Sequence, residues 1–357
     1  MSIKHPKNEQ VKHVYFDLLR HADGKSEATI RQIGKAISRY ESFTKYACFK
    51  TFDQRQAVDF KQDLGRRDLA VATIHSTIKM VKRFFGWLAM QPGYKTRIRL
   101  NDIEYLNLTD KAVRAATSAR DVPHPTPAMV EAAIAAMPHE TDIEKRDRAL
   151  LAFGALTAIR VGAIISLKRK HFDPRRQLVV QDPREVDTKF SKRIDTFLFP
   201  VSKAMRGVFE DWIAHYDGTL LYGPEDPLFP ATQMGQNAER QFQAVGLSRE
   251  HWKTSQPVRS IFNRAFVGAN LPAYGPHSFR HMIVSEMYRR GLSVVAFKAW
   301  SQNLGHESAM TTLTSYGKLS LEEQGREIKG GVEATEDENR PITIADLEVL
   351  LKQNRSS

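Results

Sequence analysis

Cysteine is nearly missing from this 357-residue chain: Cys48 stands alone. One thiol excludes an internal disulfide and a cysteine-based zinc site, and it fits a reducing compartment. Long apolar runs are missing too, since none approaches the roughly 18 residues of a membrane span. The opening Met1-Ser2-Ile3-Lys4-His5-Pro6-Lys7 has no apolar stretch of the kind a signal peptide needs. A cytoplasmic protein without membrane partners is therefore expected. Glycine-rich nucleotide motifs fail as well. Gly24-Lys25-Ser26 resembles the end of a phosphate-binding loop, but Leu19 stands where its leading glycine should be.

Negative charge is in deficit, with 41 Asp and Glu against 53 Lys and Arg, a net +12. An ordinary basic protein can carry that much, so the distribution matters more. Residues 1–120 hold 23 basic and 12 acidic side chains, whereas residues 321–357 hold 5 and 9. A basic leading segment followed by a more neutral body reads as a nucleic-acid grip joined to something else. With 41% hydrophobic residues there is enough to fill a core, and the length suits two or three domains.

The first hundred residues read as four helices. Apolar residues run through Asn8–His21, and Ile30, Ile33, Ile37, Tyr40 and Phe43 follow behind Ser26 as a candidate N-cap. Asp53 is a candidate cap for a third helix carrying Val58, Phe60 and Leu64. The fourth, about Ala70–Met90, shows Lys79, Lys82 and Arg83 on its polar face and stops at Pro92-Gly93. From Arg97 to His124 periodicity fails, which reads as an extended basic linker with Lys111 and Arg114 available to a phosphate backbone. Lys79, Lys82, Arg83, Lys111 and Arg114 are the candidate DNA-binding residues.

Beyond it, Thr126 and Pro127 form a helix start. Helices are expected over 127–137, 143–157, just after Arg160, and over 202–216, 256–269, 278–290, 293–302 and 308–315. Gln177–Gln181 and Ile194–Phe199 read as two β-strands joined through Thr188-Lys189-Phe190-Ser191-Lys192. An acidic stretch over 331–341 leads to a last amphipathic helix, Ile344–Leu351. The fold class is mainly α: a helical module, then a mixed α/β domain with a small antiparallel sheet. The boundaries read as 1–100, a linker 101–125, 126–320, and a tail 321–357.

The residues that carry chemistry form an ordered set. Arg160 stands at a break between two apolar helices, an unusual place for a charge unless it faces a cleft. Pro276-His277-Ser278-Phe279-Arg280-His281 sets an imidazole and a guanidinium three apart, on one helix face. Leu304-Gly305-His306 and Thr314-Ser315-Tyr316-Gly317 follow. His277 and His281 have ligand spacing, but no His-Glu-x-x-His glutamate is present and Arg280 would repel a cation, so no metal is expected.

Taken together the set resembles the tyrosine recombinase (phage integrase) family, whose pattern is Arg, a β-hairpin Lys, His-x-x-Arg, Leu-Gly-His and Tyr. The match spans the second domain, with Arg160, Lys189, His277, Arg280, His306 and Tyr316 at the family's positions. The four-helix module is similar, more loosely, to the family's SAM-like core-binding domain, which clamps DNA. Two departures stand out. Ala163 replaces the acidic residue that many members carry three after the first arginine, and Lys192 and Arg193 compete with Lys189 for the hairpin role.

The resemblance implies a site-specific recombinase or integrase acting on double-stranded DNA at specific sites, as a tetramer on two duplexes. It implies cleavage through a 3′-phosphotyrosine bond, without metal or nucleotide cofactor. The chemistry suits these residue types. Two arginines can hold phosphate oxygens bidentately as charge grows on them, and His306 would add a third donor. His277 is suited to moving the tyrosine proton, and Lys189 to protonating the leaving 5′ oxygen. A type IB topoisomerase and a catalytically silent DNA-binding regulator are the competing readings. The tail helix implies docking, on its own subunit or on a neighbour.

Overall fold

The computed structural model describes residues 5–117, 122–188, 191–236 and 240–306. Lys189, Tyr316, the helix expected over 308–315 and the 321–357 tail with its helix Ile344–Leu351 lie outside the described residues. The chain divides into two compact units, Met1–Ser118 and Ala119–Ser357. Among the described residues no helix is long and apolar enough to cross a membrane.

The first unit is all helix: α1 (Pro6–His21), α2 (Glu27–Phe43), α3 (Gln54–Arg66), α4 (Val71–Leu88), α5 (Leu100–Glu104) and α6 (Asp110–Thr117). Two of the starts are set by side-chain caps. Ser26 Oγ accepts from the Thr29 N–H at 3.3 Å, and Asp53 Oδ1 from the Gln56 N–H at 2.7 Å. The core is aromatic. Tyr40 meets Phe60 and Phe85 edge-on at 5.1 and 4.9 Å, and Phe52 stacks on Phe85 at 4.0 Å. Burying one such ring stabilises the fold by about 1.5–3 kcal/mol.

The extended linker expected over 101–125 is corrected here. Residues up to 117 are helical where α5 and α6 run, and Ile98, Ile103 and Leu106 are buried in the core of the first unit. Helices this short show no apolar period, and the cap of α6, Thr109 Oγ1 accepting from Ala112 N–H at 3.3 Å, is a single residue.

The second unit is mixed. Its helices are α7 (Pro127–Ala136), α8 (Asp142–Thr157), α9 (Val161–Ser166), α10 (Lys203–His215), α11 (Gln256–Gly268), α12 (Ser278–Arg289) and α13 (Val294–Asn303). Thr126 caps α7 ahead of Pro127, and Thr141 with Glu144 forms a reciprocal capping box on α8. The run Ala149–Thr157 of α8 is wholly buried, so this helix is the spine of the core. An antiparallel sheet of β1 (Phe172–Asp173), β2 (Leu178–Gln181) and β3 (Ile194–Phe197) covers one side, with Leu178 opposite Phe197 and Gln181 opposite Ile194. Asn303, the last residue of α13, receives the Phe197 N–H at 2.7 Å and donates to the Phe197 carbonyl at 2.9 Å. That pair satisfies the edge strand and ties the end of α13 to the sheet.

One small sheet was expected; among the described residues there are two. A separate antiparallel hairpin, β4 (Thr232–Gln236) and β5 (Phe242–Leu247), follows α10. Its strands are mostly exposed and show no alternation of apolar and polar residues, which is the signal strands are read from.

Candidate active site

Helix α8 ends on Ala158, which adopts the left-handed conformation with φ 49° and returns its N–H to the Gly154 carbonyl. Thr157 steadies the turn. Its hydroxyl donates to the Phe153 carbonyl at 2.7 Å and receives the Ile159 N–H at 3.3 Å. The chain then reverses into α9 with Arg160 at the N-cap, half-buried, while Ala163 and Ile164 sink into the core. A charge thus emerges from an apolar helix break because an αL residue re-aims the backbone.

Arg280 is the hub of the site. It lies in the first turn of α12 with only 2% of its surface exposed. Nη1 donates to the Ala158 carbonyl at 2.9 Å, and Nη2 donates to the Leu304 carbonyl at 2.6 Å. Nη2 also meets His306 Nε2 at 2.8 Å. A guanidinium cannot accept, so His306 Nε2 accepts here and Nδ1 carries the ring proton. One buried arginine therefore joins the Arg160 turn to the Leu304-Gly305-His306 turn, segments far apart in sequence. His277, at the N-cap of α12, is exposed.

Gly305 makes the third turn possible. Its φ is +70°, and a Cβ there would sit 2.8 Å from Ile194 Cδ1 on β3. Glycine is required both for the conformation and for the space.

A cleft of about 450 Å³ opens over these residues, lined by Arg160, Gly162, Asp187, Arg259, His277 and Arg280 among others. Three arginines give it a strong preference for an anion. Arg259, on α11, and Asp187, just before Lys189, were not singled out from the sequence. Neither sits in a recurring motif, and periodicity marks Arg259 only as exposed. Asp187 bears on the missing acid at Ala163. Ala163 is 1% exposed, within the core, and the carboxylate in the cleft comes instead from the β2–β3 connection, its Oδ2 3.2 Å from where a Gly162 Cβ would lie. A larger hollow of about 680 Å³ lies in the first unit, where Arg55, Arg97 and Arg99 mix with Asp53, Asp59 and Asp102. It contains none of the candidate catalytic residues, and its charges largely offset each other.

The structure thus brings Arg160, His277 and Arg280 to one cleft, with His306 bonded to Arg280; Lys189 and Tyr316 lie outside the described residues. Among the described residues, no three His, Cys, Asp or Glu side chains converge as a metal site. In the first unit Lys79, Lys111 and Arg114 are exposed. Lys82 reaches Glu104 and Asn107, each at 2.8 Å, and Arg83 pairs with Asp23 at 2.7 Å.

Comparison with known proteins converges on one family. The model of the phage integrase family matches residues 126–323, more than half of the chain. A probable integrase/recombinase of Aquifex aeolicus (strain VF5) is 19% identical over 330 residues, covering 84% of this chain and 93% of that protein. Among solved structures, a lambda integrase dimer bound to a COC′ core site has a TM-score of 0.58 at 14% identity, covering 93% of this chain and 99% of that one. The XerH site-specific recombinase bound to a palindromic difH substrate has a TM-score of 0.59 at 15% identity, covering 88% and 83%. At such identities the structural likeness speaks for the fold, and the family match speaks for membership. This chain belongs to the phage integrase family and is a tyrosine-type site-specific recombinase.

Proposed function

We propose that the protein cuts and rejoins double-stranded DNA at specific sites through a covalent 3′-phosphotyrosine bond formed by Tyr316. The observation that carries this reading is the Arg280 hub, a buried cation bonded at once to Ala158 and to the turn of His306 beside an arginine-lined cleft. A buried guanidinium is costly to hold, and a developing phosphorane charge is the kind of partner that repays it.

Arg160 and Arg280 grip the non-bridging oxygens of the scissile phosphate, and His306 donates to them through Nδ1. His277 takes up the phenolic proton as Tyr316 attacks phosphorus. The bond to the 5′ oxygen breaks, and Lys189 hands that oxygen a proton. A free phenol, with pKa about 10, is a weak nucleophile at neutral pH, so both proton transfers matter. The phosphotyrosine bond stores the linkage until another 5′-hydroxyl attacks. These steps call for neither metal nor nucleotide. The DNA-bound state of similar folds, lambda integrase on a core site and XerH on difH, supports a DNA partner. Assembly as a tetramer on two duplexes and a location on the nucleoid belong to the same proposal.

Tyr316→Phe should bind its DNA site nearly normally and form no SDS-stable protein–DNA adduct. An adduct that persists in the Phe variant would remove Tyr316 from the mechanism.

A further inference from the structure

The connection from β2 towards Lys189 is held at several points before it reaches that residue. Val186 is 2% exposed, seated in the core. The Asp187 N–H donates to Ser166 Oγ at 2.9 Å, and the Val186 N–H to the Asp182 carbonyl at 2.8 Å. The Glu185 and Thr188 N–H groups add bonds to the Asp182 and Val186 carbonyls at 3.0 and 2.8 Å, and a further hold is ionic. Glu185 Oε2 lies 2.8 Å from Lys170 Nζ, 3.7 Å from Lys168 Nζ and 3.1 Å from His171 Nε2.

The three cationic or donor groups come from a single 3₁₀ turn, and that turn is itself fixed. The Arg169 and Lys170 N–H groups donate to the Asp226 and Pro224 carbonyls at 2.9 and 3.0 Å. Glu225 approaches Lys168 and Lys170 at 2.8 and 2.9 Å, so each ammonium lies between two carboxylates. The His171 tautomer follows from its neighbours. The Lys168 N–H donates to Nδ1 at 3.0 Å, so Nε2 carries the proton and donates to Glu185. Burial pushes the His171 pKa down, and a neutral ring suffices for this bond.

An isolated exposed ion pair fixes little, because two long side chains lose freedom to form it. Two carboxylates alternating with two ammoniums and a buried imidazole on a braced turn is a different case. We infer that Glu185 is a positioning residue for leaving-group protonation: held by Lys168, Lys170 and His171, it fixes the stem from which the Lys189 side chain is presented to the 5′ oxygen. This rests on the general-acid role proposed for Lys189. Nothing in the chemistry of the cleft needs a carboxylate at 185, and Glu185 does not line it. Its effect therefore runs through the stem alone.

The test uses full-length protein and two DNA sites that differ at one atom, oxygen or sulfur at the scissile 5′ bridging position. A thiolate leaves without a proton, so the sulfur substrate bypasses the general acid and anything that positions it. Glu185→Ala should slow adduct formation on the oxygen substrate by about tenfold or more, the size of effect that ångström-scale misplacement produces. On the sulfur substrate it should react at close to the wild-type rate. Glu185→Gln is isosteric; its single carbonyl oxygen can still accept from His171 Nε2, but its NH2 cannot accept from Lys170 and the ionic grip is lost. This variant should show the same substrate dependence at smaller size, with half-site binding unchanged. Equal slowing on both substrates, or none on either, overturns the inference. Lys189→Ala is run in parallel. If sulfur fails to rescue it, or rescues Lys192→Ala instead, the general-acid reading falls and this inference with it. If sulfur rescues Lys189→Ala but not Glu185→Ala, only the positioning role is lost.

Discussion

Gly305 shows how much one missing methyl can carry. In the left-handed region an L-residue costs roughly 1–2 kcal/mol, and forcing a Cβ against Ile194 adds about 1–3 kcal/mol of overpacking. Gly305→Ala should therefore lower stability by about 2–5 kcal/mol in urea unfolding. It should also depress adduct formation, because His306 hangs on the turn. Adding Ile194→Ala to the same chain should return the steric part and leave the conformational part. Full recovery, or none, would contradict this division. The sequence exposed the types and order of these residues but not their linkage. Arg160, His277, Arg280 and His306 were legible because each sits in a recurring short motif. Arg259 and Asp187 were not, because they reach the cleft through the packing of α11 and of the β2–β3 connection. The hidden fact of most consequence is that Arg280 bonds the Ala158 and Leu304 carbonyls, a tertiary contact with no local signature.

Elements were legible in proportion to their length and the strength of their caps. Helices α2, α3, α7 and α8 begin where Ser26, Asp53, Thr126 and Thr141 cap them, the first three read in advance as helix starts. The short α5 and α6 carry the composition of a linker, and the β4–β5 hairpin carries no alternation from which a strand could be inferred. What secures that hairpin is a charge. Arg146, on α8, is 1% exposed; it donates to the Pro230 carbonyl and, at 3.0 Å, to Thr232 Oγ1 at the root of β4. It also pairs with Asp147 at 2.8 Å and lies over Trp252 at 4.8 Å. Arg146→Met should cost about 3–5 kcal/mol, since it removes the near partner of a mostly buried carboxylate and leaves only Arg264, 3.9 Å away. Burial already holds the Asp147 pKa above the ordinary carboxylate value, and Arg146 pulls it back down. In the variant the folded pKa rises further above the unfolded one, so the native state binds the extra proton. The variant's stability should accordingly increase as pH falls through that interval, a slope opposite to that of a carboxylate with a depressed pKa. Unfolding curves at several pH values, with hydrogen exchange on β4 and β5, would show it. An unchanged pH slope, or a hairpin that keeps its protection, would mean Arg146 is not the anchor.

At the scale of the whole chain the governing quantity is where the charge sits. Residues 1–120 contribute a surplus of eleven positive charges, nearly the entire net +12, in a unit whose core is aromatic and whose surface carries Lys79, Lys111 and Arg114 exposed. The unit containing the cleft is close to balanced by comparison. Three of its arginines, Arg160, Arg259 and Arg280, line one cleft suited to a single phosphate. On the proposed function, affinity for DNA and chemistry on DNA fall to different parts of the chain, and the salt dependence of binding tests that division. Backbone contacts release counterions, and each contributes roughly 0.9 to the log–log slope of affinity against salt. Lys82 and Arg83 would have to exchange Glu104 and Asp23 for phosphate, and the N···O contacts they give up are surface pairs worth only about 0–1 kcal/mol each. That exchange costs little, so both remain candidates alongside Lys79, Lys111 and Arg114. Removing residues 1–118 should lower DNA affinity by orders of magnitude at moderate salt and flatten the salt dependence by several units of slope. Neutralising Lys79, Lys111 and Arg114 together in the full chain should reduce the slope by about 2–3 without changing preference among DNA sequences. A fragment from residue 119 onward that binds as tightly, with the same slope, would move the grip into the catalytic unit. A triple variant that loses sequence preference but keeps its slope would show that these cations read bases rather than backbone.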